Sequence, residues 1–245
     1  MIRSGRALHL MNLLYRSILV PLRDFIYPPV CFVCDNLLPA GEDRVCMGCW
    51  NSFAQVDSCH PTWAEIREKF DAQGTIDDLL SCFLFEKEGA LQDILHMLKY
   101  RGMKSFGIRL GREIGYRMIE HPEYARAEAL LPVPLHRRKE RERGYNQAEV
   151  ICRGIQEVTG IPIDTSLLVR NKYTLSQTKL TLEERRQNVG DAFGVARDHR
   201  SIISGKCYIL VDDVITTGST INACAEALRA NGAEKIFAAS AALAR

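Results

Sequence analysis

The fold of this chain is decided by residues 209–220, which read Ile-Leu-Val-Asp-Asp-Val-Ile-Thr-Thr-Gly-Ser-Thr. An apolar run ends in two adjacent carboxylates, and a loop of small, hydroxyl-rich residues begins two residues later. Apolar residues then recur with helical spacing at Ile221, Cys224, Ala225 and Leu228. The pattern predicts a buried strand, an acidic pair, a tight loop and a helix.

This order of elements suits a sugar phosphate. A loop that opens a helix offers free N–H groups, hydroxyl donors and the positive end of the helix dipole, which together favour a phosphate. Asp212 and Asp213 would be repelled by that phosphate at contact, so they fit better against neutral hydroxyls or a cation. The segment therefore predicts a ribose 5-phosphate site. The alternative is a buried strand that ends in two acids before a capped helix and binds nothing.

The surrounding pattern predicts an α/β fold with a parallel sheet and helices on both faces. Ligands in such folds bind beyond the carboxyl ends of the strands, where residues 212–220 are placed. Predicted helices carry the apolar stripes of residues 91–98, 108–118 and 148–158, and predicted strands cover 129–134, 167–169, 192–195, 207–211 and 235–241.

Two cysteine pairs predict a metal centre near the N-terminus. Cys31 and Cys34 form one Cys-x₂-Cys pair, and Cys46 and Cys49 form a second. Four thiolates suit a tetrahedral zinc site that leaves no open coordination position, so its role should be structural, with iron as the chemical alternative. Gly48 is expected to allow a tight turn towards the sulfurs. The neighbouring Cys59 and His60 are an incidental pair or a spare ligand.

A basic segment follows the predicted strand at 129–134. Several guanidinium groups crowd residues 137–143, and arginine binds phosphate oxygens bidentately. Because Glu140 and Glu142 dilute the charge, a solvated charged loop is the alternative. The candidate pyrophosphate-binding or flexible-loop residues are Pro134, Leu135, His136, Arg137, Arg138, Arg143 and Asn146.

Bulk properties predict a cytoplasmic protein. The net charge of +2 gives no global argument for nucleic acid, and nine cysteines, four of them paired, favour metal binding and free thiols in a reducing compartment. The apolar stretch from Ala7 to Leu22 is too short and polar to span a bilayer, and we expect an amphipathic helix there. A targeting segment is the alternative.

Two family resemblances follow from these motifs. Residues 209–220 resemble the phosphoribosyl pyrophosphate (PRPP) motif of type I phosphoribosyltransferases. The run Arg141-x-Arg143-Gly144-Tyr145-Asn146-Gln147 resembles the signature of the ComF competence family, which joins a zinc-ribbon module to an amidophosphoribosyltransferase-like domain. Further matching positions are Tyr27-Pro28-Pro29, Leu98 to Gly102, Arg170, Thr174, Gln177, Leu180, Glu184-Arg185, Asn188, Val189 and Phe193.

The resemblance implies roles for these residues. Asp212 and Asp213 would contact the ribose hydroxyls, and the loop Thr216, Thr217, Gly218, Ser219 and Thr220 would bind the 5-phosphate of Mg²⁺-bound PRPP. The turn from Pro134 to Arg138 would contact pyrophosphate, and residues 139–146 would form a flexible hood that closes over it. Arg185 and Asn188 would approach the same site.

The resemblance also implies partners. These are PRPP, single-stranded DNA and proteins of the competence machinery. Aromatic residues such as Trp50, Phe53 and Tyr145 are candidates for stacking on bases beside cationic groups, and packing in the core or in loops is their alternative role. The alternative is an active phosphoribosyltransferase of nucleotide or cofactor salvage, a glycosyltransferase with a structural zinc module. The expected organisation is an N-terminal helix at 1–27, the cysteine module at 28–60, a connector at 61–80 and the phosphoribosyltransferase-like domain at 81–245.

Overall fold

A computed structural model of the protein describes residues 28–39, 41–170, 192–196 and 203–244. The chain divides into two compact units between Ser52 and Phe53. The helix expected in residues 1–27 lies outside the described residues, as do Arg185 and Asn188. No helix within the described ranges is long and apolar enough to cross a membrane.

The first unit contains the four-cysteine segment. An isolated antiparallel bridge joins Val30 to Leu37, and helix α1 covers Met47–Asn51. The turns that bring the cysteine pairs together lie at Asp35 and Arg44, whose φ angles are 57° and 65°. The tight turn expected at Gly48 is not found, because this residue lies in α1. A Cβ at this position would meet nothing closer than the Cys46 sulfur at 3.9 Å, so the space around it does not require glycine.

The second unit is built on a parallel sheet, as predicted. Four strands lie in the order β1-β6-β5-β2 and a separate antiparallel pair forms β3-β4. Residues of both alternating sets are buried, as expected for a parallel sheet covered on both faces. The strands are β1 (Asp78–Phe85), β2 (Ala129–Pro132), β3 (Leu168–Arg170), β4 (Phe193–Val195), β5 (Cys207–Ile215) and β6 (Lys235–Ala244).

Helices pack on this sheet and on one another. The apolar stripes predicted at 91–98, 108–118 and 148–158 are all found on helices. The helices are α2 (Pro61–Gln73), α3 (Ala90–Tyr100), α4 (Lys104–Ile119), α5 (Arg137–Arg143), α6 (Gln147–Thr159) and α7 (Ser219–Arg229), with a 3₁₀ helix at Pro122–Arg126.

Helices α4 and α6 approach closely at a pair of glycines. A Cβ built on Gly111 would lie 2.1 Å from the Ile151 carbonyl oxygen, and one built on Gly154 would lie 2.1 Å from the Ile108 oxygen. Since real side-chain carbons do not approach that closely, both positions require glycine.

A helix, α2, occupies Pro61–Gln73 within the segment expected to be a connector at 61–80. His60 caps α2 by accepting the Thr62 N–H at 3.2 Å, Pro61 occupies its first turn, and Gly74 ends it with a φ of 64°. Ile66 and Phe70 are buried in the core. The capping role also explains His60 without a metal, and Cys59 is exposed.

Strand β1 lies at an edge of the sheet, and residues 54–56 cover part of it. The Val56 N–H donates to the Cys82 carbonyl at 3.0 Å, and the Leu84 N–H donates to the Ala54 carbonyl at 2.8 Å. Arg117 then donates to the carbonyl oxygens of Val56 at 2.6 Å and Ser81 at 2.7 Å. Residues 53–60 thus belong to the sheet unit and not to the cysteine module.

Candidate functional site

Asp212 and Asp213 lie at the carboxyl end of β5, where the parallel sheet predicts a ligand site. Each carboxylate accepts the N–H of the next residue at 2.8 Å, from Asp213 and from Val214. These bonds fix the two side chains against the backbone. Asp212 is half-buried and Asp213 is buried.

Lys99 joins this pair from the last turn of α3. Its ammonium lies 2.8 Å from the Asp213 carboxylate, whose side chain is only 7% exposed. In the sequence, Lys99 stands out only within the matching stretch from Leu98 to Gly102, and no motif assigns it to the acid site. The contact spans residues far apart in the chain, so no local spacing could have predicted it.

The pKa of Asp212 differs from that of an isolated carboxyl group. Partial burial and the neighbouring Asp213 carboxylate raise the pKa of Asp212 to about 7, although the Asp213 N–H and the Lys99 ammonium oppose the rise. A carboxyl group with a pKa near neutrality can donate to or accept from a hydroxyl, and added positive charge would lower the pKa of Asp212.

The loop at 216–220 connects β5 to α7. The Thr217 and Ser219 hydroxyls lie 2.9 Å apart, and Thr216, Thr217 and Ser219 are exposed. The N-cap of α7 is Gly218, which has no side chain to occupy the N–H groups of the first turn. The loop thus presents hydroxyls and a helix N-terminus around a small concavity of about 30 Å³.

Gly218 is required at this position for two reasons. Its φ angle is 76°, in the left-handed region. A Cβ there would lie 2.6 Å from the Phe70 ring of α2. The unpredicted helix α2 therefore supports the loop from behind.

The basic segment is a helix and not the expected loop. His136 caps α5 by accepting the Arg138 N–H at 3.1 Å, and Gly144 ends the helix with a φ of 77°. Arg138 pairs with Glu142 at 2.9 Å, one helical turn away. The acidic residues that were expected to offset the positive charge of a loop thus include one, Glu142, that stabilises a short helix.

The predicted pyrophosphate residues do not all converge. Pro134, Leu135, Arg137 and Asn146 line a cavity of about 200 Å³ together with Arg170. Arg143 instead contacts Tyr100. Arg170 in the lining of this cavity interacts electrostatically with Asp212, and the Val133 N–H donates to the Val211 carbonyl, immediately before Asp212, at 2.9 Å, so this cavity lies beside the acid pair.

Asn146 supports this cavity wall. Its amide donates to the Val133 carbonyl at 2.9 Å, and its oxygen accepts the Ala148 N–H at 3.0 Å, which caps α6. The side chain is buried. Its bonds therefore tie α6 to the end of β2, which suits a positioning residue better than part of a flexible hood.

The electrostatic environment of the segment is positive. Partial burial and the guanidinium groups of Arg170, Arg141, Arg137 and Arg138 lower the pKa of His136. Its imidazole is thus kept neutral, as its accepting role at the helix cap requires. Burial also lowers the pKa of Arg170, while Asp212 opposes that change. A positive wall beside an acid pair is suited to an anionic ligand whose other end carries hydroxyls.

The four predicted metal ligands come together in the first unit. The sulfurs of Cys31, Cys34, Cys46 and Cys49 all lie within 4.8 Å of one another, and those of Cys34 and Cys46 are 3.9 Å apart. A tetrahedral site with Zn–S bonds of about 2.3 Å needs sulfurs about 3.8 Å apart, so the cluster fits zinc.

Backbone N–H groups prepare this cluster for a cation. Val33 and Cys46 donate to the Cys31 sulfur at 3.4 and 3.3 Å. Burial raises the pKa of Cys31, but N–H donation from Cys46, Val33 and Cys34 outweighs it and lowers the pKa to about 6. A thiolate is the form that binds a metal.

Comparison with known proteins shows what the chain around this site is similar to. The phosphoribosyl transferase domain model matches residues 161–245, which contain the acid pair and its loop. Competence protein F of Haemophilus influenzae is 39% identical over 109 residues, covering 44% of this chain and 47% of that protein. The C-terminal part of this chain is therefore similar to phosphoribosyltransferase domains, and about half of the chain is similar to competence protein F.

Other relatives match a similar share of this chain. DNA utilization protein YhgH of Escherichia coli O157:H7 is 31% identical over 109 residues, covering 44% of this chain and 46% of that protein. The Salmonella typhi protein of the same name is 29% identical over 150 residues, covering 58% and 63%. The matches with the first of these relatives span about half of their length.

Solved structures that match part of the chain include glutamine PRPP amidotransferase from B. subtilis in complex with ADP and GMP. That chain is 23% identical, with a TM-score of 0.37, and the match covers 55% of this chain and 25% of the amidotransferase. A structure described as the allosteric regulatory enzyme of purine biosynthesis matches with a TM-score of 0.36 at 23% identity.

Proposed function

We propose that this protein binds PRPP with Mg²⁺ and single-stranded DNA, and that it acts in DNA uptake or processing in the cytoplasm. The observation that carries the PRPP part is the pair of acids at the end of a buried strand. A loop with several hydroxyl groups follows two residues later and leads into a helix. Asp212 and Asp213 bind the ribose hydroxyls, residues 216–220 hold the 5-phosphate, and Arg137 with Arg170 faces the pyrophosphate. Mg²⁺, when bound, neutralises part of the pyrophosphate charge.

Titration of the full-length protein with PRPP and Mg²⁺ by calorimetry tests this site. Replacement of both acids, Asp212→Asn with Asp213→Asn, removes two acceptors for hydroxyls, and we expect PRPP affinity to fall at least about tenfold. Asp93→Asn is the matched control, because Asp93 is an exposed acid on α3. Unchanged affinity in the double variant would refute the assignment.

The DNA part rests on the relatives, which are named for competence and DNA utilization. We propose that this chain shares that role, together with proteins of the competence machinery. Binding of a labelled single strand should weaken steeply as salt rises, because phosphate contacts release counterions. A salt-independent signal would argue against DNA binding.

A second candidate is an active phosphoribosyltransferase of nucleotide or cofactor salvage. The cavity of about 200 Å³ beside the acid pair favours it, since Glu140, Glu149 and Asn146 line the cavity as polar groups for an acceptor. Incubation with PRPP, Mg²⁺ and a panel of nucleobases and amines would reveal activity as pyrophosphate release. PRPP binding without release across the panel would favour a binding role.

We further propose that the four cysteines hold a structural Zn²⁺. The sulfur spacing and the N–H···S bonds support this proposal, and the closed set of four thiolates excludes a substrate position on the metal.

A further inference from the structure

The last turn of α3 presents two neighbouring side chains to different surroundings. Lys99 is paired with Asp213, whereas Tyr100 is 60% exposed. The Tyr100 ring lies 4.9 Å from the His96 ring, and the Arg143 guanidinium lies 5.2 Å from its centroid. An exposed aromatic face with a cation beside it therefore lies one residue from the acid site.

Further positive charge surrounds this ring. Arg101 is exposed in the turn that Gly102, with a φ of 68°, makes between α3 and α4. The Lys104 ammonium is exposed and lies 4.7 Å from the Tyr145 ring centroid. The acid Glu142, next to Arg143 in sequence, is paired with Arg138. The local charge is thus positive although the chain as a whole is nearly neutral.

In the structure, the aromatic residues that the sequence suggested for stacking are poorly placed to contact a base. Trp50 and Phe53 are buried, and the Tyr145 hydroxyl donates to the Leu98 carbonyl. Tyr145 is half-buried, and its hydrogen bond holds it against the last turn of α3. Tyr100 takes their place as the ring with an accessible face.

We propose that the Tyr100 platform, made by His96, Tyr100, Arg101, Lys104 and Arg143, binds single-stranded nucleic acid beside the ribose site. One base stacks on the Tyr100 ring, and the adjacent phosphates lie against the cations. Single strands are favoured because their bases expose faces that a duplex keeps stacked. This inference rests on the proposed function and names the surface that performs its DNA-binding part.

Base stacking can be separated from a structural role with an abasic strand. Fluorescence anisotropy would compare the full-length protein with a labelled normal strand and an abasic strand of equal length. Tyr100→Ala should weaken binding of the normal strand about tenfold and leave binding of the abasic strand unchanged. Tyr100→Phe should retain most of the affinity, because the ring remains.

Tyr116→Ala is the matched control. Tyr116 is 55% exposed on α4, and within the described ranges no cation lies over its ring. It should bind both strands as the wild type does. Lys104→Gln should lower the slope of log affinity against log salt by about one, whereas Tyr100→Ala should leave that slope unchanged.

The outcomes distinguish this inference from the function on which it rests. Wild-type affinity in Tyr100→Ala, or equal losses with both strands, overturns the platform while DNA binding itself stands. A wild-type protein that binds neither strand overturns both the platform and the DNA proposal, and the PRPP titration then decides the remaining part separately. Melting curves matching the wild type show that Tyr100→Ala is folded, and Tyr100→Leu, which removes the ring but keeps an apolar side chain, serves where they do not.

Discussion

The Lys99–Asp213 ion pair makes the acid site a contributor to stability. Lys99→Met would leave the 7%-exposed Asp213 carboxylate without its ammonium partner, and we expect the free energy of unfolding to fall by about 2 kcal/mol. Adding Asp213→Asn should recover most of that loss, because no charge is then stranded. Urea denaturation of the wild type, both single variants and the double variant measures the coupling. Strictly additive losses would show that the pair is energetically unimportant.

The raised pKa of Asp212 predicts how stability depends on pH. The pKa is about 7 in the folded protein and near 3.8 in an unfolded chain, so between these values only the folded state keeps the proton. Stability should therefore fall as pH rises from about 4 to about 7, and then level off.

Asp212→Asn removes this titration. Allowing for the partial exposure of the group, we expect the variant to gain about 1–2 kcal/mol over the wild type at pH 8 and nothing near pH 4. Thermal melts across this range measure the difference, with Asp93→Asn as the control that should track the wild type. A constant difference between variant and wild type at every pH would contradict the assignment.

Sequence pattern predicted the acid pair and its loop because those residues are contiguous. It could not predict Lys99, which reaches Asp213 only through the tertiary placement of α3. The same limit applies to Asn146, whose bond to the Val133 carbonyl depends on the tertiary placement of α6. The local motif thus predicted the acids and the hydroxyl loop, whereas the positive charge of Lys99 beside the acids depends on long-range packing.

At the scale of elements, helix α2 and strand β1 were missed for different reasons. Helix α2 buries only a few positions, such as Thr62, Ile66 and Phe70, so its apolar stripe is too sparse to stand out. Strand β1 is a short apolar run without alternation, because both of its faces are covered, and such a run resembles a buried helix segment. The longer amphipathic helices were predicted because one face of each remains polar.

The contact between α4 and α6 predicts a strict size limit. Gly111→Ala would place a methyl group 2.1 Å from the Ile151 carbonyl oxygen, and backbone cannot give way as a flexible side chain can. We expect a loss of at least about 2–3 kcal/mol in the free energy of unfolding, measured by urea denaturation. Ser105→Ala on the same helix should change it by less than about 1 kcal/mol. A stable Gly111→Ala protein would mean that the two helices can separate at little cost.

At the scale of the whole molecule, the two units should respond separately to loss of metal. Cys34→Ser leaves three thiolates, and we expect metal content measured by mass spectrometry to fall from about one zinc per chain to near zero. Amide exchange should then quicken in residues 28–52, while strand β5 keeps its protection because the sheet has its own core. Equal loss of protection in both units would show that the metal also supports the sheet. Full metal content in the variant would refute the four-thiolate site.

The covering of β1 by residues 54–56 also determines where the chain can be shortened. A fragment that begins at Phe53 keeps the Val56–Cys82 and Leu84–Ala54 hydrogen bonds and the partners of Arg117. A fragment that begins after residue 56 leaves the N–H of Leu84 and the carbonyl of Cys82 open on an apolar edge strand. Such an edge is a template for strand addition by another chain, so the shorter fragment is expected to aggregate where the longer one stays monodisperse.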